Sequence, residues 1–306
     1  MIVCLGAFDG YHRGHLALFR AASELARAQK TAWKVVTFTP HPRLVLGGLT
    51  ARLFTERETE VLRASLDIPD PIEIPFTREF AATEPEDFLN RLKRAHDITG
   101  LVVGEAFRFG KNRRGDANFL REYCRTFGIE LRLIPQQTLH EGIVISSTRV
   151  RDMIQAGIVE QATRMLSYPW FIISEVVHGT ELGRSMGYPT VNMLPSAKKL
   201  IPAEGVYAGA LYHHGSWYPA AISVGRNPTF LVEGDLRIEG HIIGWHGDLY
   251  GTTPLLAFFH RLRLMTRYSG KEQLTRQLAV DCAQTQTIFG ETSPIRARLA
   301  HLPPTL

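Results

Sequence analysis

The stretch Ile2-Val3-Cys4-Leu5-Gly6-Ala7-Phe8-Asp9-Gly10-Tyr11-His12-Arg13-Gly14-His15 decides the reading of the first half of the chain. Four apolar residues lead into a turn rich in glycine, and apolar residues at helical spacing follow over 16–29. Such a strand–loop–helix unit suits a phosphate. Glycine at 6, 10 and 14 permits tight turning and close approach of the backbone to a ligand. The N-terminus of the following helix adds N–H groups and the positive end of a dipole. His12 and His15 stand three apart and share a face on a helical first turn, where two imidazoles can donate hydrogen bonds to a polyphosphate. The plainer alternative is a glycine-rich turn carrying surface histidines.

Outward from this unit the same pattern repeats. Apolar runs at 2–5, 33–37, 72–75, 101–104 and 129–134 read as strands, and 16–29, 56–66, 84–95 and 118–127 as helices. Thr55 with Glu58, and Thr83 with Glu86, have capping-box spacing. Alternating strand and helix predict an α/β domain built on a parallel, Rossmann-like sheet, with ligands beyond the carboxyl ends of its strands. After Ser167 the pattern changes to β-rich runs at 170–177, 205–213, 217–224, 238–245 and 255–264. One helix follows over 270–288, with Ser269 and Glu272 at capping-box positions. This second pattern predicts a small β-barrel with a terminal helix packed on it. The expected domains are 1–167 and 168–306.

Composition excludes several classes. The 306 residues are 44% hydrophobic and 21% charged, ample for two buried cores. No apolar run approaches the ~20 residues of a membrane span, so no membrane partner is expected. Asp9, His12 and Arg13 interrupt any secretory pattern at the start. Three scattered cysteines suit neither a disulfide framework nor a zinc cluster, and a cytoplasmic location is expected. The net charge of +5 is mild, and its densest cluster, Lys111 to Arg114, is short. Without basic and aromatic residues interleaved, small anionic substrates are expected rather than nucleic acid. Nothing in the sequence marks an oligomeric state.

Four more stretches carry chemistry. Thr37-Phe38-Thr39-Pro40-His41-Pro42 ends the second strand, and Gly104-Glu105-Ala106-Phe107-Arg108-Phe109-Gly110 ends a later one. Ile145-Ser146-Ser147-Thr148-Arg149-Val150-Arg151 opens a helix. Each has a structural alternative: a proline-rich turn, a buried aromatic pair, a hydroxyl-rich helix cap. The second half lacks the Gly-Lys-Ser/Thr phosphate loop. It offers instead Gly179-Thr180-Glu181-Leu182-Gly183-Arg184-Ser185-Met186-Gly187-Tyr188-Pro189-Thr190-Val191-Asn192. Glycines at 179, 183 and 187 allow a loop to close over phosphates. Thr190 and Asn192 place neutral oxygens on one face of an extended segment, a donor set that suits Mg²⁺ together with phosphates and water. A glycine-rich hairpin is the alternative.

The first stretch resembles the His-x-Gly-His nucleotidylyltransferases, in the wording of the bacterial FAD synthetase branch. The three later first-half motifs follow in the order of that family. Pro189-Thr190-Val191-Asn192 resembles its riboflavin kinase mark, supported by Gly205-Val206-Tyr207-Ala208, Gly225-Arg226-Asn227-Pro228-Thr229-Phe230, Glu239-Gly240-His241 and Gly247-Asp248-Leu249-Tyr250-Gly251. The resemblance covers essentially the whole chain. It implies phosphorylation of riboflavin to FMN in the second half, and adenylylation of FMN to FAD with release of pyrophosphate in the first. The cofactors and substrates implied are ATP, Mg²⁺ and riboflavin, FMN and FAD.

By that likeness His12, His15 and Arg149 are catalytic in the first half, with Ser147, Thr148 and Arg149 on the departing β/γ-phosphates. Gly6, Phe8, Asp9, Gly10 and Gly14 line the nucleotide loop, and Phe38, His41, Phe107 and Phe109 the flavin or adenine pocket. In the second half Glu239 is the base for riboflavin's 5′-hydroxyl, Thr190 and Asn192 hold the metal, and Gly179, Gly183, Arg184, Gly187 and Arg263 contact substrate. The sequence departs from the family at Ala7, where Asn is common, and at Ala106, where Asp is common. Ser167-Tyr168-Pro169-Trp170 replaces Gly-Arg-Pro-Tyr, and Met265 replaces a Glu. These changes leave room for one active half, a flavin analogue as substrate, or a non-catalytic flavin or nucleotide-binding regulator.

Overall fold

The computed structural model describes the chain except residues 141, 180–182, 227–235, 300, 301, 304 and 305. The chain begins with β1 (Ile2–Leu5), α1 (Arg13–Ala28), β2 (Trp33–Thr39), α2 (Pro42–Val45), α3 (Glu56–Ser65), β3 (Ile72–Pro75) and α4 (Arg78–Ala81). There follow α5 (Pro85–His96), β4 (Gly100–Gly104), α6 (Ala117–Phe127), β5 (Glu130–Ile134), α7 (Ser147–Gln155) and α8 (Val159–Leu166). Then come β6 (Trp170–Ile173), β7 (Val176–Val177), β8 (Thr190–Met193), β9 (Gly205–His213), β10 (Ser216–Arg226), β11 (Leu236–Ile242) and β12 (Leu255–Arg263). The long α9 (Lys271–Glu291) and short α10 (Ser293–Arg296) close the chain. Packing divides it into two units, Met1–Ala51 with Asp67–Ser146, and Arg52–Leu66 with Ser147–Leu306.

In the first unit five strands form a sheet in the order β3-β2-β1-β4-β5, with every pairing parallel. The chain moves from β1 to β2 and β3 on one side, and returns to β4 and β5 on the other. That reversal opens a crevice beyond the carboxyl end of β1, where the glycine-rich turn begins. All four residues of β1 are buried, as expected of a parallel strand covered on both faces. α1 buries Leu18, Phe19, Ala22, Leu25 and Ala26, one face of a helix. Each large side chain among them contributes about 1.5–3 kcal/mol. The expected α/β class holds, with all five expected strands in one parallel sheet.

One cap differs. α5 starts at Pro85 with Glu84 as its cap and no side-chain capping bond, so Thr83 and Glu86 form no box. Proline supplies the fixed φ of a first helical residue and has no N–H to cap, which moves the cap position one residue beyond Thr83, to Glu84.

The second unit holds a seven-stranded sheet in the order β6-β12-β9-β10-β11-β8-β7, antiparallel throughout. β6 and β7 are separated by two residues, yet they occupy opposite edges. The sheet therefore curls almost into a barrel. Val176 of β7 closes the gap, donating to the Thr252 carbonyl at 2.9 Å and accepting from Gly251 N at 3.1 Å, just before β12. This explains why the expected strand 170–177 is broken at 174–175: the chain changes edges there. α9 crosses β9, β10 and β12. It begins at Lys271 after an extended Gly270 and without a side-chain cap. Ser269 bonds Gln273 Oε1 at 2.9 Å rather than capping the helix.

The packing units also depart from a division at residue 167, because 52–66 and 147–166 pack into the second unit. Glu58 of α3 is the reason for the first. Its Oε1 accepts from Ile173 N at 2.8 Å, and its Oε2 from Lys199 Nζ at 2.7 Å. The capping box with Thr55 holds the same carboxylate in place.

Candidate active sites

The first site is built at the end of β1. Gly10 adopts a left-handed φ of 66°. His12 caps α1 and its Nδ1 accepts from His15 N at 3.3 Å. His15 Nδ1 lies 2.8 Å from the Gly10 carbonyl, and the two imidazoles stack with centroids 3.6 Å apart. Gly14 makes the stack possible, since a Cβ there would meet His12 Cε1 at 3.0 Å. Phe8 and Tyr11 pack against Phe19 of α1 and hold the turn rigidly on the helix. Asp9 is fully buried, and Gly6 faces the Phe8 ring at the turn's start.

These bonds fix two different tautomers. A carbonyl can only accept, so His15 carries its proton on Nδ1 and turns a bare Nε2 outward from that bond. His12 accepts at Nδ1, so its neutral form carries the proton on Nε2. The pair is thus one donor and one acceptor, not two equivalent donors. Burial lowers the His15 pKa to about 4, with nearby His41 acting in the same direction and the Gly10 bond and Asp9 opposing. His15 is neutral in the free protein at neutral pH.

Between the ordinary value of 6.5 and about 4, unfolded His15 binds a proton that the folded form refuses. Stability is therefore lost as pH falls through that window, and His15→Asn is expected to flatten the loss. Denaturant midpoints across the same window check this; equal pH slopes in both proteins would contradict it.

His41 caps α2, with Nδ1 accepting from Arg43 N at 3.2 Å. Phe38, Phe107 and Phe109 join the hydrophobic core of this unit. Phe109 is buried and stacks on Phe107 at 5.5 Å, while Phe38 meets Phe76 and Phe80. Packing, one of the alternatives for these rings, is realised; Phe38 and Phe107 keep a partly open face. Ala106 is exposed, two residues past the end of β4. Ser147, Thr148 and Arg149 form the first turn of α7, in the second unit, with Thr148 and Arg149 exposed.

The second site lies on one face of the curled sheet, where Thr190, Asn192 and Glu239 come together, with His241 at their edge. Asn192 of β8 stands opposite Glu239 of β11, and Thr190 opposite His241. Directly opposed residues share a face, as do residues two apart on one strand. Asn192 is buried, and its Oδ1 has no hydrogen-bond partner among the described residues. An orphaned buried acceptor costs about 1–3 kcal/mol, so this oxygen is short of a positive partner. Gly179 admits the side chain: a Cβ there would fall 2.2 Å from Asn192 Nδ2. Burial raises the Glu239 pKa, with Arg237 opposing.

Around this block, Gly183 closes a turn by accepting from Met186 N and Tyr188 N, Gly187 has a φ of 84°, and Arg184 is exposed. Thr180, Glu181 and Leu182 of the glycine-rich stretch lie outside the described residues, as do Asn227, Pro228, Thr229 and Phe230. Tyr250 stacks on His178 at 3.8 Å, bringing the 247–251 loop to the stretch. Arg263 is committed within the protein: its Nη2 lies 2.7 Å from Asp281 Oδ2 and its Nε 3.1 Å from Oδ1. Asp281 was invisible as a partner in sequence. His241 was legible only as the last residue of Glu239-Gly240-His241.

The parallel α/β sheet with stacked histidines where its strand order reverses, and the curled antiparallel sheet with Thr190 and Asn192 on the face of Glu239, together with the family matches that follow, are those of a two-domain flavin-nucleotide transferase. Residues 1–149 match the family model described as FAD synthetase, and 166–289 the model described as riboflavin kinase. The bifunctional riboflavin kinase/FMN adenylyltransferase of Escherichia coli K12 is 33% identical over 299 residues, covering 96% of this chain and 94% of that protein. Its counterpart from Listeria monocytogenes is 30% identical, covering 95% and 93%. A solved structure from Streptococcus pneumoniae, described as a macrolide-efflux protein, aligns with a TM-score of 0.85 at 31% identity over 93% of each chain. This chain belongs to the bifunctional riboflavin kinase/FMN adenylyltransferase family.

Proposed function

We propose that residues 168–306 transfer the γ-phosphoryl group of ATP to the 5′-hydroxyl of riboflavin, and that residues 1–167 join the FMN formed to the AMP moiety of a second ATP. The observation that carries the first step is the buried Asn192 Oδ1, which has no hydrogen-bond partner among the described residues and stands opposite Glu239. Glu239 takes the hydroxyl proton as the riboflavin oxygen bonds to the γ-phosphorus and ADP departs. Thr190 and Asn192 fit Mg²⁺ through neutral oxygens, and the bound ion would neutralise charge on the phosphates. Gly179, Gly183, Arg184 and Gly187 serve the phosphates; Arg263 supports the flavin side through its tie to Asp281.

In the second step an FMN phosphate oxygen bonds to the α-phosphorus and pyrophosphate departs. His12 donates from Nε2 to the triphosphate, and His15 does so on taking up a proton that the phosphate charge favours. Gly6, Phe8, Asp9, Gly10 and Gly14 shape the loop, Phe38, His41, Phe107 and Phe109 the pocket, and Ser147, Thr148 and Arg149 neutralise the leaving pyrophosphate. We place the protein in the cytoplasm, acting on small molecules without a nucleic-acid partner. Among the described residues no helix is long and apolar enough to cross a membrane.

Ala106 and Met265, both exposed without a carboxylate, favour a second reading in which one half is weak. Supplying riboflavin and FMN separately with ATP and Mg²⁺ distinguishes the two. Turnover of both is expected; turnover of only one would establish the second reading.

A further inference from the structure

Resting on the kinase reading, we infer that His241 is a positioning residue for riboflavin phosphorylation. It clamps the backbone that presents Thr190. The ladder between β8 and β11 is four pairs long and ends at His241 opposite Thr190. The end of so short a ladder would fray, and Pro189, next along the chain, has no N–H with which to extend it. His241 adds a bond there from its side chain: Nδ1 lies 2.8 Å from the Pro189 carbonyl and, facing an acceptor, must be the donor. Tyr188 meets the same ring edge-on, with centroids 5.2 Å apart, and is itself tied back by its N–H to Gly183.

The clamp joins the two halves of the proposed chemistry. Glu239 lies two residues before His241 on β11, on the same face, while Thr190 follows the clamped carbonyl on β8. Holding Pro189 thus sets the Thr190 oxygen in register with the carboxylate opposite Asn192. Outer residues that orient ligands of a metal commonly change its affinity by ~10–100-fold when removed. Nothing in this geometry requires His241 to move a proton during the reaction.

His241→Phe keeps the ring and its contact with Tyr188 but loses the donor; His241→Asn restores an N–H near the position of Nδ1. For His241→Phe we expect the Mg²⁺ concentration giving half-maximal FMN formation to rise about 10-fold or more. The rate at saturating Mg²⁺ and its pH profile should stay near wild type, and His241→Asn should recover most of the Mg²⁺ response. In the ligand-free proteins, amide exchange over 188–193 should be faster in His241→Phe than in wild type or His241→Asn. The rate at saturating Mg²⁺ reports that the substituted half is folded, and conversion of FMN to FAD that the other half is. An unchanged Mg²⁺ requirement with unchanged exchange in His241→Phe overturns the inference, as does a loss that Asn repairs no better than Phe. A wild-type protein that forms no FMN at any Mg²⁺ concentration overturns the kinase reading, and this inference with it.

Discussion

Replacing Lys199 with methionine is expected to destabilise the second unit by about 3–5 kcal/mol, the scale for breaking one side of a buried ion pair. Its ammonium group, 1% exposed, donates to Glu58 Oε2 and Leu53 O at 2.7 Å and to Phe171 O at 2.8 Å, which occupies all three protons. The Phe54 and Trp170 rings lie 4.3 and 4.4 Å away, adding cation–π attraction on faces that exclude water. Methionine fills most of the volume, so the loss is chiefly electrostatic. It strands Glu58, itself 1% exposed, and leaves two backbone carbonyls without these donors. Adding Glu58→Gln should recover part of the loss, because the two residues share one network. Denaturant unfolding followed by tryptophan fluorescence, to which Trp170 contributes, measures this. A cost below about 1 kcal/mol would mean the pair is as weak as a surface ion pair.

Glu239→Gln is expected to lower riboflavin phosphorylation by about 10²–10⁴-fold, the usual contribution of a positioned general base. Glutamine preserves shape and hydrogen bonding, but cannot accept the hydroxyl proton. FAD formation from added FMN should be unaffected, since that chemistry uses the other half. Burial raises the Glu239 pKa above its ordinary 4.5, so the carboxylate is lost at a higher pH than usual. The wild-type kinase rate should accordingly fall on the acid side above the ordinary carboxylate range, and the variant should lack that limb. Retention of FMN formation near the wild-type rate would remove Glu239 from the reaction.

The parts legible in sequence were those fixed locally. Apolar runs bounded by turn residues located β1 and β3 to the residue, and the histidine spacing located the stacked pair. Two-residue spacing put Thr190 and Asn192 on one face. What escaped depended on partners distant in sequence. Glu58 and Lys199 are 141 residues apart, so nothing local to α3 says that it packs with the second unit. The partner of Arg263 lies one turn and half a helix further along the chain. The histidine tautomers depend on which backbone atom each Nδ1 meets, and the Thr83 box failed because Pro85 sets the helix start. His241 stood within a quoted motif, but only the end of the β8–β11 ladder gives it work.

The proposed function places two successive flavin reactions on one chain. Mass spectrometry of purified protein incubated with riboflavin, ATP and Mg²⁺ tests it most directly. FMN should accumulate first with ADP, and FAD should follow with pyrophosphate. A protein that retains bound flavin yet leaves riboflavin and separately added FMN unconverted would contradict the account and point to a non-catalytic regulator.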